Sequence, residues 1–141
     1  MTTITFREGI MAADSRMTLG GAVIGNVVKI VRRDDGALCG GCGRLAWLQA
    51  FHEWFLNGEQ DDLPDVDEDS MGLIARPKKP LQAFEEAGTY EWKTPYFAMG
   101  SGRRFALGAM YAGASAQEAV KAAIKFDIYS GGKVISLSHD G

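Results

Sequence analysis

Met1-Thr2-Thr3-Ile4-Thr5-Phe6 opens the chain. Thr3 and Thr5 alternate with Ile4 and Phe6, the period of a half-buried β-strand, and we read an edge-to-core strand here. Removal of Met1 would make Thr2 the first residue and set a free α-amino group beside a secondary hydroxyl. Such an amine has a pKa of about 7.7–8.0, so it is partly neutral at physiological pH. A neutral amine can take the proton from its own residue's hydroxyl, which makes nucleophile and base out of one residue. Taken alone, Thr-Thr after Met is an ordinary chain start. The chemistry needs partners from elsewhere.

At 141 residues the chain fits a single domain over 1–141, and a chain of this size can bury about 70% of its unfolded surface. The apolar fraction of 46% and the net charge of −3 are those of an ordinary globular protein and suggest no nucleic-acid or acidic-lipid partner. No apolar run approaches the ~20 residues of a membrane span, and the N-terminus lacks the pattern of a signal peptide. Cys39 and Cys42 do not make a secreted disulfide framework. A cytoplasmic location is the expectation. The 18 glycines sit largely at joints between apolar segments, as in Gly20-Gly21, Gly40-Gly41, Gly100-x-Gly102 and Gly131-Gly132.

Along the chain, Arg7-Glu8-Gly9 turns the first strand into Ile10–Ala13, which ends on Asp14. Thr18–Gly21 reads as a loop and Val27–Val31 as a third strand with Lys29 in its middle. Asp34-Asp35-Gly36 is a hairpin signal leading to a fourth strand, Ala37–Cys39, closed by Gly40-Gly41. A helix is predicted from Gly43 to Asn57, with Trp47, Ala50, Phe51 and Trp54 in one stripe and Gly58 as its stop. Glu59 to Asp69 holds seven carboxylates and reads as a solvated connection. It is not a calcium loop, because Ser70 replaces the turn glycine and Arg76 stands where a bidentate glutamate is needed. Strands follow at Met71–Ala75, Leu81–Phe84, Thr89–Trp92 and Tyr96–Met99. Helices are predicted at Arg104–Ala112 and from the capping box Ser115-x-x-Glu118 to Ile128, with a last strand at Val134–Leu137. Strands joined by short hairpins and helices gathered in two places give an α+β architecture, two largely antiparallel sheets between helix layers.

Several residues look for partners. Lys29 stands among valines and isoleucine. In an edge strand it would discourage pairing; in a central strand its ammonium must be paired, and Asp14 is the candidate. A lysine beside a hydroxyl favours the alkoxide. Asp127 and Ser130 lie three apart at a helix end, where a carboxylate is electrostatically misplaced and invites a cation such as an α-ammonium. Ser-Gly-Gly is equally a plain helix stop. Ser101, between Gly100 and Gly102, is a helix cap or a proton shuttle. Gly40-Gly41 joins a strand to a helix, where backbone N–H groups can bind an oxyanion.

Together these pieces resemble the proteasome β-subunit and HslV-type peptidases, N-terminal-nucleophile hydrolases with a four-layer αββα sandwich. Thr2-Thr3-Ile4 resembles the family's mature start, Ala13-Asp14-Ser15-Arg16 its first aspartate segment, and Cys39-Gly40-Gly41 its oxyanion segment. Lys29 falls at a spacing close to that of the family's lysine. Gly100-Ser101-Gly102 and Asp127-Ile128-Tyr129-Ser130-Gly131-Gly132 match the last two motifs. The resemblance implies Thr2 as nucleophile and, through its amine, base. It implies Lys29 tuning the hydroxyl with Asp14 holding it; Ser101, Asp127 and Ser130 positioning the amine; and the Gly40 N–H on the oxyanion. Met17, Val27, Val31, Leu38, Cys42 and Ala46 fall where family members line the primary specificity pocket, which implies apolar or small side chains before the cut. It further implies a peptide or unfolded-protein substrate, a homo-oligomeric ring and an ATPase unfoldase partner. No cofactor or metal is expected.

The chain departs from the family in one place: the acidic Glu59–Asp69 stretch stands where a second long helix is expected, so the fold is shortened in the middle. Three other readings stay open. One is a small-molecule amidase of the same nucleophile class. Another is a non-catalytic assembly subunit that keeps Met1. The third is a redox pair, Cys39-Gly40-Gly41-Cys42 before a helix, although hairpins rather than βαβ units surround it. His52 and His139 offer too few local ligands for zinc. Without G-x-S-x-G a Ser-His-Asp hydrolase has little support.

Overall fold

The computed structural model describes residues 2–141. The opening strand, β1 (Thr3–Arg7), is central rather than an edge: it pairs antiparallel with β2 (Ile10–Ala13) on one side and β10 (Tyr96–Gly100) on the other. With β11 (Ile135–Ser138) they form a sheet of order β10-β1-β2-β11. Alternation sends Ile4 to one face and Thr3 and Thr5 to the other, but both faces are covered. The threonines are as fully buried as Ile4, and Thr5 Oγ1 donates to the Ala116 carbonyl at 2.7 Å. An apolar/polar alternation thus describes a strand buried on both sides, because each hydroxyl has a hydrogen-bond acceptor nearby.

The second sheet runs β5 (Ile30–Arg32), β6 (Leu38–Cys42), β7 (Met71–Ala75), β8 (Leu81–Glu85), β9 (Gly88–Trp92), all antiparallel neighbours. The two sheets face each other across Ile4, Met11, Ile30, Leu38, Leu73 and Met99. Helix α1 (Leu45–Leu56) covers the outer face of the second sheet through Trp47, Phe51 and Phe55, which pack on Cys39, Ile74 and Phe84. Helices α2 (Arg103–Tyr111) and α3 (Ala116–Phe126) cover the outer face of the first through Ala106, Met110, Ala119 and Ala123. The result is the four-layer αββα sandwich. The capping box at α3 is present in both halves, with Glu118 N–H to Ser115 Oγ at 3.1 Å and Ser115 N–H to Glu118 Oε1 at 2.9 Å.

Three sequence expectations are corrected. Thr18–Gly21 is not simply a loop: β3 (Arg16–Leu19) and β4 (Ala22–Asn26) form a two-stranded hairpin turned by Gly20 and Gly21, both at positive φ. Alternation there is masked because the hairpin projects Leu19, Val23 and Ile24 into the open. Val27–Val31 is not one strand either; residues 27–29 link β4 to β5, so Lys29 stands just before a strand. Finally, β6 does not stop at Cys39 but runs through Gly40 and Gly41. The missing side chains leave room there: a Cβ on Gly41 would lie 2.7 Å from Leu48, and one on Gly40 3.1 Å from Ile30.

The acidic connection has no helix or strand of its own, but it is not wholly solvated. Glu59 receives Arg33 at 2.8 Å and Arg76 at 2.7 Å. At its far end Asp67 accepts from Ser70 Oγ at 2.9 Å, and Arg44 reaches Asp69 at 3.2 Å. The loop is pinned at both ends. Among the described residues no helix is long and apolar enough to cross a membrane.

Candidate active site

The strand register assembles the site. Antiparallel pairing places Thr3 opposite Gly100, and the last residue of β2 precedes Asp14. Thr2 is therefore held between the end of β10 and the start of β3. The turn after β10 needs its glycines. Gly100 has φ +97°, and a Cβ there would strike the Thr2 carbonyl; a Cβ on Gly102 would strike Thr3 Oγ1. The Gly102 N–H donates to that Thr2 carbonyl at 3.3 Å.

Two polar clusters converge on Thr2. In the first, the Thr2 N–H donates to Ser101 Oγ at 3.1 Å. Ser101 and Ser130 each donate to Asp127 Oδ2 at 2.6 Å. Ser130 has spent its one proton on Asp127, so in its 2.7 Å contact with Thr3 Oγ1 the threonine is the donor. Burial raises the Asp127 carboxyl, but the Ser101 and Ser130 hydroxyls and the Tyr129 N–H outweigh it and hold it below the usual carboxylate range. The cluster carries a negative charge at neutral pH, aimed through Ser101 at the Thr2 nitrogen.

In the second cluster Lys29 Nζ lies 2.9 Å from Asp14 Oδ1, both buried. Asp14 Oδ1 also accepts the Thr3 N–H at 2.9 Å, and Oδ2 accepts the Gly131 N–H at 3.0 Å. Burial lowers the Lys29 amine below its ordinary value, although the Asp14 carboxylate pulls the other way. Burial thus weakens Lys29 as a proton holder while Asp14 keeps it in place, an arrangement suited to supporting an alkoxide.

Beside Thr2 opens a cavity of about 670 Å³, lined by Met17, Val27, Lys29 and Cys42 together with Leu45 and Leu48. Of the expected specificity residues, Met17, Val27 and Cys42 line it. The other three do not. Leu38 is fully buried in the core between the sheets, Val31 packs toward α1, and Ala46 is exposed on the helix. Gly40 lies within β6, paired with Ile30 and Leu73, and β6 reaches the cavity two residues later at Cys42. The Gly41 N–H is taken by the Lys29 carbonyl at 3.3 Å.

Sequence reasoning missed four contributors. Thr3 touches both clusters. Arg16 lies over Gly131, where a Cβ would meet its guanidinium, and it also lines the cavity. Leu45 and Leu48 supply its apolar floor from α1. Helix periodicity spends these leucines on the core stripe, and nothing local marks the end of that stripe as a pocket.

The cysteines do not form a redox pair. Cys39 is fully buried, and burial pushes its thiol up; the same cause pushes the Cys42 thiol up to about 11. Neither is a thiolate at neutral pH. His52 is packed inside α1, and burial lowers its pKa.

Comparison with solved structures places the fold. The chain is similar to Thiobacillus denitrificans BPH in complex with epoxomicin, with a TM-score of 0.72 and 24% identity over 96% of each chain. It is similar to Thiobacillus denitrificans BPH alone, at a TM-score of 0.67 and 23% identity over 96% of this chain and 95% of that one. It is also similar to the eukaryotic HslV from Trypanosoma brucei, at a TM-score of 0.73 and 20% identity over 99% of this chain and all of that one. No protein-family model and no curated protein matches the sequence. The chain has the fold of these HslV- and BPH-type structures along almost its whole length.

Proposed function

We propose that this chain is a threonine-type peptidase of the N-terminal-nucleophile class, active once Met1 is removed. Met1, and with it the question of its removal, lies outside the described residues. The observation that carries the reading is the pair of clusters at Thr2: Ser101–Asp127–Ser130 on its nitrogen, and Lys29, paired with Asp14, lining the cavity beside it. The freed Thr2 amine, neutral in part, takes the proton from Thr2 Oγ as the oxygen attacks the substrate carbonyl carbon. Lys29 stabilises the forming alkoxide. The C–N bond breaks, and the amine returns its proton to the leaving nitrogen. Water then attacks the acyl ester, the amine again acting as base, and Thr2 is regenerated. The proposed donors to the oxyanion are backbone N–H groups where the chain leaves β6 after Cys42 and lines the cavity, beyond the paired Gly40 and Gly41.

The apolar floor of the cavity favours an apolar residue before the cut. We extend the reading to a homo-oligomeric ring acting on unfolded protein. The exposed Leu19, Val23, Ile24 and Val28 around the β3–β4 hairpin support a covered interface, and an ATPase unfoldase would be its partner.

A peptide epoxyketone tests the reading, because its adduct needs both the Thr2 hydroxyl and a free amine. We expect a one-to-one adduct on Met1-free protein and none on the Met1-retaining form or on Thr2→Ala. An unchanged adduct in Thr2→Ala overturns the assignment, and Met1 retained in the native protein makes it a non-catalytic subunit.

A further inference from the structure

A second cavity, of about 630 Å³, opens beside β10, and nothing in the reaction above uses it. It is lined by Gly100, the residue packed against the Thr2 carbonyl, and it shares Cys42 and Asp69 with the first cavity. Through these shared residues the two adjoin as one trench, bordered at Gly100 by the residue that carries the nucleophile. Its floor is apolar, with Met71, Phe97 and Met99. Its charged lining is Glu68, Asp69, Glu85 and Glu86 against Arg103.

The hydrogen bonding gives the trench a direction. The Thr2 nitrogen faces Ser101 at 3.1 Å. If the Thr2 amine returns its proton to the leaving nitrogen, the leaving segment departs on the Ser101 side. That flank continues past Gly100 into the second cavity. Arg103 is held there by its own donation to the Gly100 carbonyl at 3.0 Å, and Asp69 is engaged by Arg44 at 3.2 Å. Glu68, Glu85 and Glu86 remain as an excess of negative charge. The last two sit at the exposed β8–β9 turn and line the same cavity as Gly100.

We infer that this second cavity binds the segment after the cut, and that Glu85 and Glu86 select lysine or arginine there. The inference rests on the Thr2 reading. It makes the enzyme two-sided in its preference, apolar before the cut and basic after it.

The test uses Met1-free full chain and two otherwise identical peptides with leucine before the cut. One carries Lys and the other Asp at the second and third positions after it, and cleavage is followed by mass spectrometry. We expect kcat/KM to favour the Lys peptide by roughly fivefold, the range of exposed ion pairs, and the advantage to shrink as salt rises. The E85Q/E86Q protein, altered only at exposed positions, should lose the preference and keep its rate on a peptide with alanine at those positions. Equal rates on the Lys and Asp peptides, or a preference that persists in E85Q/E86Q, overturn this inference alone as long as the epoxyketone adduct forms. No adduct and no cleavage of any peptide overturn the Thr2 reading and this inference with it.

Discussion

Asp14 holds Lys29 and the first residue of β1 with one oxygen: Oδ1 lies 2.9 Å from Lys29 Nζ and accepts the Thr3 N–H at 2.9 Å. Its other oxygen takes the Gly131 N–H at 3.0 Å. A single buried carboxylate therefore ties together the strand that ends at the nucleophile, the ammonium beside it and the turn that carries Ser130. Removing either member of the ion pair leaves a buried charge without its partner, at a cost of about 3–5 kcal/mol. Asp14→Asn and Lys29→Met should each lower stability by that order in urea denaturation and abolish the epoxyketone adduct. The double variant should recover part of the stability and none of the reactivity.

The Asp127 cluster predicts a pH response. Its carboxyl is held below the ordinary value of 3.8 by the Ser101 and Ser130 hydroxyls, against the opposing effect of burial. Below that value the unfolded chain binds a proton that the folded chain refuses, so stability rises with pH across the window. The contribution is complete above the unfolded pKa and is lost as pH falls through the folded one. Asp127→Asn should flatten the acid limb of the stability profile, measured by thermal melts between roughly pH 2 and 5.

The same carboxylate sets the basicity of the freed Thr2 amine through Ser101. In the wild type, kcat/KM should rise with pH as the Thr2 ammonium gives up its proton. Removing the negative charge makes the ammonium less favourable, so Asp127→Asn should move this limb to lower pH while reducing the maximal rate. A limb that stays in place would show that Asp127 does not act on the amine.

Glycines at the site should divide sharply. Gly100→Ala places a Cβ against the Thr2 carbonyl on a backbone at φ +97°, and Gly102→Ala places one against Thr3. Both should lose soluble protein or adduct formation. Gly108 lies inside α2 with nothing within 4 Å of a built Cβ. Gly108→Ala should raise stability by about 0.5–1 kcal/mol with activity unchanged, as read by melting temperature and peptide cleavage.

The cysteines supply a control. Neither thiol ionises near neutrality, since burial pushes Cys42 up to about 11 and Cys39 higher than its ordinary range. Cys39→Ser/Cys42→Ser should keep peptidase activity, and iodoacetamide at pH 7 should label the folded wild type slowly. Loss of all activity in the double variant would revive the redox alternative.

Much of this architecture was legible in the chain. Helix α1, the hairpins around Gly9 and Gly36, and the capping box at Ser115 carry local signals that act over a few residues, and the structure bears them out. The β3–β4 hairpin was not legible, because its exposed apolar residues break the alternation that marks a strand. Lys29 reads as a residue within a strand, since valine and isoleucine surround it on both sides. Its place outside the strand goes with its ion pair to Asp14, which no local pattern marks.

The order of segments specified the fold, and the residue types at Thr2, Asp14, Lys29, Ser101, Asp127 and Ser130 specified a set of groups each needing a partner. Hydrophobic period and turn chemistry are local, so sequence carries them. Only the tertiary structure decided which partner each group takes: Thr3 bridging both clusters, Arg16 lying over Gly131, Leu38 buried in the core while Leu45 and Leu48 line the cavity. Those contacts join residues up to 127 positions apart, and they follow from the register of two sheets rather than from any neighbourhood in the chain.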